Sequence, residues 1–493
     1  MRRLIALSLT VGLICLAATA ATALASAGPR YALTDVGTFG GPQAFINLPG
    51  VPITSHGAVL GTADTTIADD DFPNFNPFVV GSPDPVLPHA FAWRDGKLED
   101  LGALPGNNAS AVFQVNARGV GAGLSEAGPL DPLTGYPVEH AVLFKRKRVI
   151  DLGTLPGGHE SQAFAINDRG QVAGFGNNGI ADPVSFFQWG TETRSFIWQR
   201  GVMQDIGTLG GPDTVMTELN ARGQIAGDSY TNATPNPTTG VPTTDPFLWT
   251  RGQMRDLGTL GGTQSVTNWL NSRGEVVGQS NLAGNQASHP YLWDGRRLRD
   301  LGTLGGDIGA ANYINEGGDV VGFMATTGDA TAHAFLWKHG VVTDLTGAPS
   351  PQCTVAEAVN ARDQIVGTTC DSSAALAWID GKQYDLTTLV GASDIQLTEA
   401  VFISDRGRIV AVGVLANGDQ HIFLLTPEHG RPVARINPPH RHRVSEDAAN
   451  RCIEPIDSLA DMRWAICRRA TTRFDVRRCC GPHERRLSDS ALR

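Results

Sequence analysis

Charge is scarce in this chain of 493 residues: Asp, Glu, Lys and Arg together make up 18%, against roughly a quarter of an average globular protein. Aromatic residues are 7%, and Met occurs six times. A coiled coil or a wholly disordered chain needs many more charges and fewer apolar residues than the 41% present here. Beyond Ala27 no apolar run is long enough to cross a membrane as a helix, so none is expected there. Within residues 31–426 no stretch keeps a helical period for three turns; one helical patch, Ile456 to Ala470, is expected in the tail. The chain also lacks a Gly-x-Ser-x-Gly elbow, a His-Glu-x-x-His pair and a phosphate loop: GTLGG is followed by neither Lys nor helix.

Residues 1–27 have the make-up of a secretory signal peptide. Arg2 and Arg3 precede an apolar stretch from Leu4 to Ala21, and small residues allow cleavage after Ala25 or Ala27. A membrane anchor or a lipoprotein signal at Cys15 is the alternative. Cleavage removes Cys15 and leaves six cysteines, an even number in a compartment that permits disulfides. The localisation expected is secreted, extracellular or periplasmic. Residues 427–493 differ from the rest: they hold 14 Arg, no Lys and four of the cysteines. This Arg/Cys-rich tail is expected to be poorly ordered, or a small disulfide-linked appendage. A zinc site from Cys467, Cys479, Cys480 and His483 fits no standard spacing. The acidic body, net −15 over residues 1–426, argues against nucleic acid as a partner.

What is abundant is Gly, 58 residues, and it marks a repeat. Asp-hydrophobic-Gly, often DLGTLGG, begins at Asp35, Asp100, Asp151, Asp205, Asp256 and Asp300, with weaker copies at Asp344 and Asp385. Asn-x-x-Gly begins at Asn116, Asn167, Asn220, Asn271 and Asn315, with weaker copies at Thr54, Asn360 and Ser404. An apolar stretch of the HAFLW type ends at Trp93, Phe144, Trp198, Trp249, Trp293, Trp337, Trp378 and Leu425. The marks recur in one fixed order, more widely spaced in the early copies than in the later ones. Each period reads as four short strands: the HAFLW strand, a tight turn that is Asp-Gly in three copies, a strand ending at Asp-Leu-Gly, a strand ending at Asn, and a strand after the Asn turn. Four antiparallel strands per roughly 45 residues is the arithmetic of a β-propeller blade. The expected fold is all-β: residues 28–426 as an eight-bladed β-propeller of four-stranded antiparallel blades. Seven blades, or an open solenoid, are the alternatives. The first strand (Tyr31 to Gly37) and the last (HIFLL) would complete the eighth blade together.

HAFLW, DLGTLGG and the IN-x-x-G-x-V-x-G stretch resemble the HAF-family extracellular repeat of bacterial secreted proteins, over Tyr31 to about Thr426. The resemblance implies secretion and a repeated β unit, and brings no catalytic residues.

The His that opens the HAFLW strand recurs at His89, His140, His289, His333 and His421. Equivalent positions in stacked sheets about 10 Å apart cannot share an ion, so these His read as structural. The Trp column reads as core between blades rather than a sugar platform. The Asp of Asp-Leu-Gly is expected to accept amide hydrogens from the loop after it. No catalytic residue, cofactor or metal is assigned; a structural calcium in the Asp69-Asp70-Asp71 loop is the one exception considered.

The functional reading is a secreted, non-enzymatic propeller that binds an extracellular glycan, protein or small molecule. The alternative is a propeller hydrolase or lyase acting on glycans or lactones at the central channel. Loops from the post-Asn strand to the HAFLW strand are long in the first four units: Gly61 to His89, Gly123 to His140, Gly174 to Arg194 and Gly227 to Asp245. They shrink in the later units, as from Gly278 to His289 and from Gly413 to His421. Insertions on one face mark a binding face. Asp69, Asp70, Asp71, Phe72, Phe75, Phe78, Tyr136 and Trp189 are therefore the expected ligand contacts. Finally, Cys353 and Cys370 lie equally far from the turn Asn360–Asp363 and are expected to pair as a disulfide across two strands, at a non-hydrogen-bonded site with Cα atoms about 4.5 Å apart.

Overall fold

The computed structural model describes residues 28–428, apart from 48–49, 55–56, 71, 73–84, 107, 132–134, 188, 238, 348–349 and 392–393. The leader, the tail and Asp71, Phe75 and Phe78 lie outside the described residues. The described chain holds 32 strands, one five-residue helix (Leu386–Val390) and one 3-10 turn. It is an all-β protein with a β-propeller fold.

The strands form six antiparallel sheets of four and one sheet of eight. The eight-stranded sheet is two four-stranded sets joined at one parallel bridge, Ser288 to Ile308. We number the four-stranded sets as units 1 to 8 by chain order of their inner strands. In units 2 to 8 the strand ending at the Asn mark lies innermost, and in unit 1 Ala44–Phe45 takes that place. The post-Asn strand is second, the HAFLW strand third, and the strand ending at Asp-Leu-Gly outermost. Unit 2, for example, runs Ser110–Val115, Gly121–Leu130, Pro137–Lys145, Arg148–Asp151. Unit 8 takes its outer strand from the start of the chain: Tyr31–Asp35 pairs antiparallel with Gln420–Pro427.

The third strand explains why the HAFLW mark is apolar at consecutive positions. Ala90 faces a cluster shared with unit 2, while Phe91 faces one shared with unit 8. Side chains alternate across a strand, and both faces are covered by neighbours. The core is accordingly divided into clusters between successive units. One of them joins unit 8 (Val410, Val412, Ile422) to unit 1 (Ala44, Val59, Phe91). The column Trp93, Trp249, Trp293 and Trp378 is buried in these clusters. Opposite the third-strand aromatic stands the last Gly of the repeat, as Gly174 opposite Phe196. A Cβ on Gly174 would overlap the carbonyl oxygen of Gln162 and the Phe196 ring, so the sheet leaves room only for hydrogen there.

The Asn-x-x-Gly turns close as expected, with Gly119 N–H donating to Asn116 C=O at 2.9 Å. The fourth residue is left-handed (Gly119 φ 72°), which is why it is Gly. In unit 7 Asp363 takes the same conformation, φ 59°. Three residues before the turn, every inner strand from unit 2 to unit 8 carries a β-bulge. The tight turns after the third strand hold left-handed pairs at Asp95-Gly96 and Asp380-Gly381. At Asp294-Gly295 only the Gly is left-handed, and Asp294 instead accepts from the Arg296 and Arg297 amides.

Cys353 and Cys370 form a disulfide with Cα atoms 5.3 Å apart. The pairing follows the expected alignment for a different reason. The turn closes on Asn360 and Gln364, one residue longer than expected, and the bulge at Glu357 takes that residue back. The expectation of a non-hydrogen-bonded site is corrected: Cys370 N–H donates to Cys353 C=O at 3.1 Å.

Candidate binding face

Because strands alternate in direction, the Asn turns and the third-to-outer turns share one side of the fold. The second-to-third loops and the GTLGG crossings share the other. On that second side the GTLGG crossing folds back over its own unit. Gly158, Gly211 and Gly262 lie so close to the backbone of the second strand's end that a Cβ would clash.

Unit lengths differ on this side. The second strands of units 1, 2 and 3 (Val59–Ala68, Gly121–Leu130, Val172–Ala181) each run ten residues, against seven in unit 4 and five in unit 7. Their extra turns of pleat carry Ile67, Leu130 and Ile180, which with Phe72 are between 38% and 56% exposed. Asp69 is half-buried and Asp70 exposed. Tyr136 is half-buried and its carbonyl accepts from Asp131 N–H at 2.7 Å. Trp189 is not a surface contact, which corrects the expectation for it. Only 4% exposed, it packs on Phe175 and Phe187 with ring centroids 6.1 and 5.3 Å away. The loop 182–190 carries three aromatic rings; Phe187 and Trp189 pack on Phe175 and Phe186 packs on Phe187 and Tyr230, which removes more apolar area from water than leaving Trp189 free.

Beneath this face lie carboxylates that the sequence marks did not single out. Glu160, directly before the inner strand of unit 3, is buried, and burial with Asp131 beside it pushes its pKa up to about 8. Asp213, directly before the inner strand of unit 4, is raised to about 8 by burial, with Asp182 adding to the shift. Asp228 is raised to about 7 by burial, although Thr267 donates to it through N–H (2.8 Å) and Oγ1 (3.0 Å). Asp245 rises to about 6 by burial and by Asp256. Among the described residues, Asp131, His159 and Glu160 place ligand atoms within 4.8 Å of one another. His159 Nε2 is 2.8 Å from Asp131 Oδ2. The Asp69 loop holds no such group among its described residues. The readable signal was an acidic residue right after Gly-Gly-x and right before an inner strand, at Glu160 and Asp213, where unit 5 has Gln264.

The repeated His serve the framework, as expected. Each Nδ1 meets the carboxylate of the next Asp-Leu-Gly, from His89 to Asp100 at 3.0 Å through to His421 and Asp35 at 2.9 Å. The same Asp accepts an amide hydrogen from the loop, as from Gly102 at 2.7 Å. In unit 3 Arg194 stands in for His and reaches Asp205 at 3.0 Å.

In the space between the inner strands, side chains two residues before the turns of units 2, 4, 5, 6 and 8 meet one another. Gln114 of unit 2 reaches Glu218 of unit 4 (3.4 Å), Trp269 packs on Tyr313 (4.7 Å), and Tyr313 meets Phe402 of unit 8 edge-on (6.0 Å). Burial raises Glu218 to about 7.

No protein-family model and no curated protein matches this chain. Solved structures do. Dipeptidyl peptidase 4 of Porphyromonas gingivalis is 12% identical at a TM-score of 0.41, covering 72% of this chain and 59% of its own. This chain thus spans under two thirds of that protein's length. The β-propeller domain of the Trilobed protease from Pyrococcus furiosus, described as having an open velcro topology, is 10% identical at 0.36, covering 72% and 95%. YCF48 from Cyanidioschyzon merolae is 11% identical at 0.35, covering 80% and 98%. At such scores none of them tells what this chain binds.

Proposed function

We propose that the protein is a secreted, eight-bladed, closed β-propeller that binds a polypeptide partner, without catalysis, through the long-loop face of blades 1 to 3. The single observation that carries the binding role is the row Ile67, Leu130 and Ile180, raised on strands three residues longer than those of blade 4. Ile67 and Ile180 hold the same strand position in blades 1 and 3, and Leu130 lies one residue further along in blade 2; exposed aliphatic side chains gathered at one end of successive blades are what an interaction surface requires. Their chemistry favours apolar peptide side chains over sugars, which stack on aromatic platforms. Of the other residues expected in the site, Phe72 and Asp70 are exposed in the loop that follows the Ile67 strand. Closure rests on the outer strand of the eighth blade coming from Tyr31–Asp35 and on the cluster joining the last blade to the first. Export rests on residues 1–27; N-terminal sequencing of exported protein should start at Ser26 or Gly28. A hydrolase or lyase would set its carboxylates in the channel mouth. At the level of the inner-strand bulges the channel is occupied by Gln114, Glu218, Trp269, Tyr313 and Phe402.

The test is an array of apolar and polar peptides probed with wild type and with the triple variant Ile67→Ser, Leu130→Ser, Ile180→Ser. Retention on apolar peptides should fall at least tenfold in the variant while its thermal midpoint stays put. Equal retention by the two proteins, or none by wild type, rejects the reading.

A further inference from the structure

Two carboxylates meet in the cleft between units 3 and 4 with no donor between them. Asp213 has no exposed surface and Asp182 only 5%. Asp213 uses Oδ1 to accept the Thr193 amide at 2.9 Å, and Oδ2 to accept the Phe186 amide. Asp182 accepts the Val184 amide on Oδ1 at 3.0 Å. Its Oδ2 is enclosed and has no hydrogen-bond partner, and the carboxyl groups of Asp182 and Asp213 interact directly. Thr191 Oγ1 is also enclosed and without a partner. Thr191 and Thr193 share one face of their strand, next to Gly190, whose carbonyl accepts the Asp182 amide at 3.0 Å. Ser185 Oγ lies 3.3 Å from Thr193 Oγ1. The basic side chain nearest in the chain, Arg194, turns elsewhere: to Asp205, to Glu192 and to the Pro212 carbonyl.

Buried carboxylates are ordinarily paired with a cation or satisfied by donors. An acceptor enclosed against another acceptor needs a proton or a metal ion between them. The next cleft shows what a self-sufficient version looks like. There Gln264 occupies the position of Asp213, and its Nε2 donates to the Pro242 carbonyl at 3.1 Å, donor to acceptor.

We propose that Asp182 and Asp213, with hydroxyl oxygens of Thr191, Thr193 and Ser185 around them, form a binding site for a hard divalent cation of the calcium class, which ties the long loop of unit 3 to unit 4. The donor set is all oxygen with two negative charges, the chemistry such ions take. Such an ion would hold the loop carrying Phe186, Phe187 and Trp189, independently of any peptide bound at the long-loop face. An ion at this site neutralises both carboxylates, and buried Trp189 on the same loop gives it an optical reporter.

The experiment uses the mature protein, stripped with EDTA, dialysed and held at pH 9, on the alkaline side of the pKa of about 8 to which burial raises Asp213. Millimolar CaCl2 should raise the thermal midpoint by several degrees, and MgCl2 should do so less. Asp182→Asn and Asp213→Asn should each remove the calcium-dependent shift, and the exposed control Glu99→Gln should keep it. If either Asn variant fails to fold, wild-type protein with terbium at pH 7, where terbium stays in solution, gives the second readout: emission excited through tryptophan, displaced by calcium and lost in Trp189→Phe. No calcium-dependent shift and no terbium emission would mean that a proton bridges the pair, and would overturn the proposal. A shift that survives both Asn variants but vanishes in Glu160→Gln would overturn it in favour of the Asp131, His159 and Glu160 group.

Discussion

A single carboxamide at each Asn turn makes both local and inter-unit bonds. Asn220 Oδ1 accepts the amides of Arg222 (2.9 Å) and Gln224 (3.0 Å), which shapes the turn. Its Nδ2 donates to the carbonyl of Asn271 in the next unit at 3.0 Å. The same bond runs from Asn116 to Asn167, Asn167 to Asn220, Asn271 to Asn315, Asn315 to Asn360, and Asn360 to Ser404. The repeat keeps Asn because Asp could shape the turn but could not donate onward. Asn220→Asp therefore tests the onward bond alone. It keeps the acceptor oxygen and faces a second oxygen toward two others, the Asn271 carbonyl and Gln224 Oε1. Leaving such buried groups unpaired costs about 2–3 kcal/mol. Chemical denaturation should show a loss of that size, and an unchanged midpoint would mean the ladder contributes nothing. The Asn itself was legible as a turn residue. The onward bond was not, since nothing in one repeat says which neighbour its side chain will meet.

In unit 7 the inner strand (Thr354–Val359) pairs with a second strand (Ile365–Thr369) of five residues, shorter than the seven or ten of every other unit. They also lack the Gly turn and the full GTLGG crossing. The Cys353–Cys370 bond closes this hairpin over a sequence separation of 17. A loop of that size gains roughly 3 kcal/mol when cross-linked. Replacing both residues by Ser should cost about that much, and hydrogen exchange should speed up first in residues 354–369. Uniform exchange across the units, or no loss of stability, would show that the bond is dispensable. The pair was found from the sequence by counting from the turn, yet the count held only because a longer turn and a bulge offset one another. A bulge depends on how the inner strand curves against its neighbours, and composition does not encode that.

At the scale of the molecule, the fold depends on its two chain segments meeting. Tyr31–Asp35 supplies the outer strand of unit 8, Tyr31 is buried there, and Asp35 receives His421 as the other Asp-Leu-Gly marks receive their own His. Deleting residues 28–37 would expose the edge of Gln420–Pro427. It removes a buried ring, worth about 2–3 kcal/mol, and several backbone hydrogen bonds of about 1 kcal/mol each. A lower thermal midpoint and edge-to-edge dimers on size-exclusion chromatography are expected. A truncated chain with the wild-type midpoint would exclude closure through this strand.

The sequence by itself determined the period, the four strands of each unit, the order of the marks and the role of each recurring residue type within its own unit. Those properties are local: turn chemistry, alternation and the left-handed positions of Gly act within a few residues. Only the tertiary structure decided what happens between units. It buried Trp189 in a loop core and brought Gln114, Glu218 and three aromatic rings together between the inner strands. It also brought Asp182, on a loop of unit 3, against Asp213 at the start of unit 4. Such encounters depend on where a neighbouring unit's loop comes to rest. A repeat that states its own strand pattern carries no information about the separate insertions that later meet across its clefts.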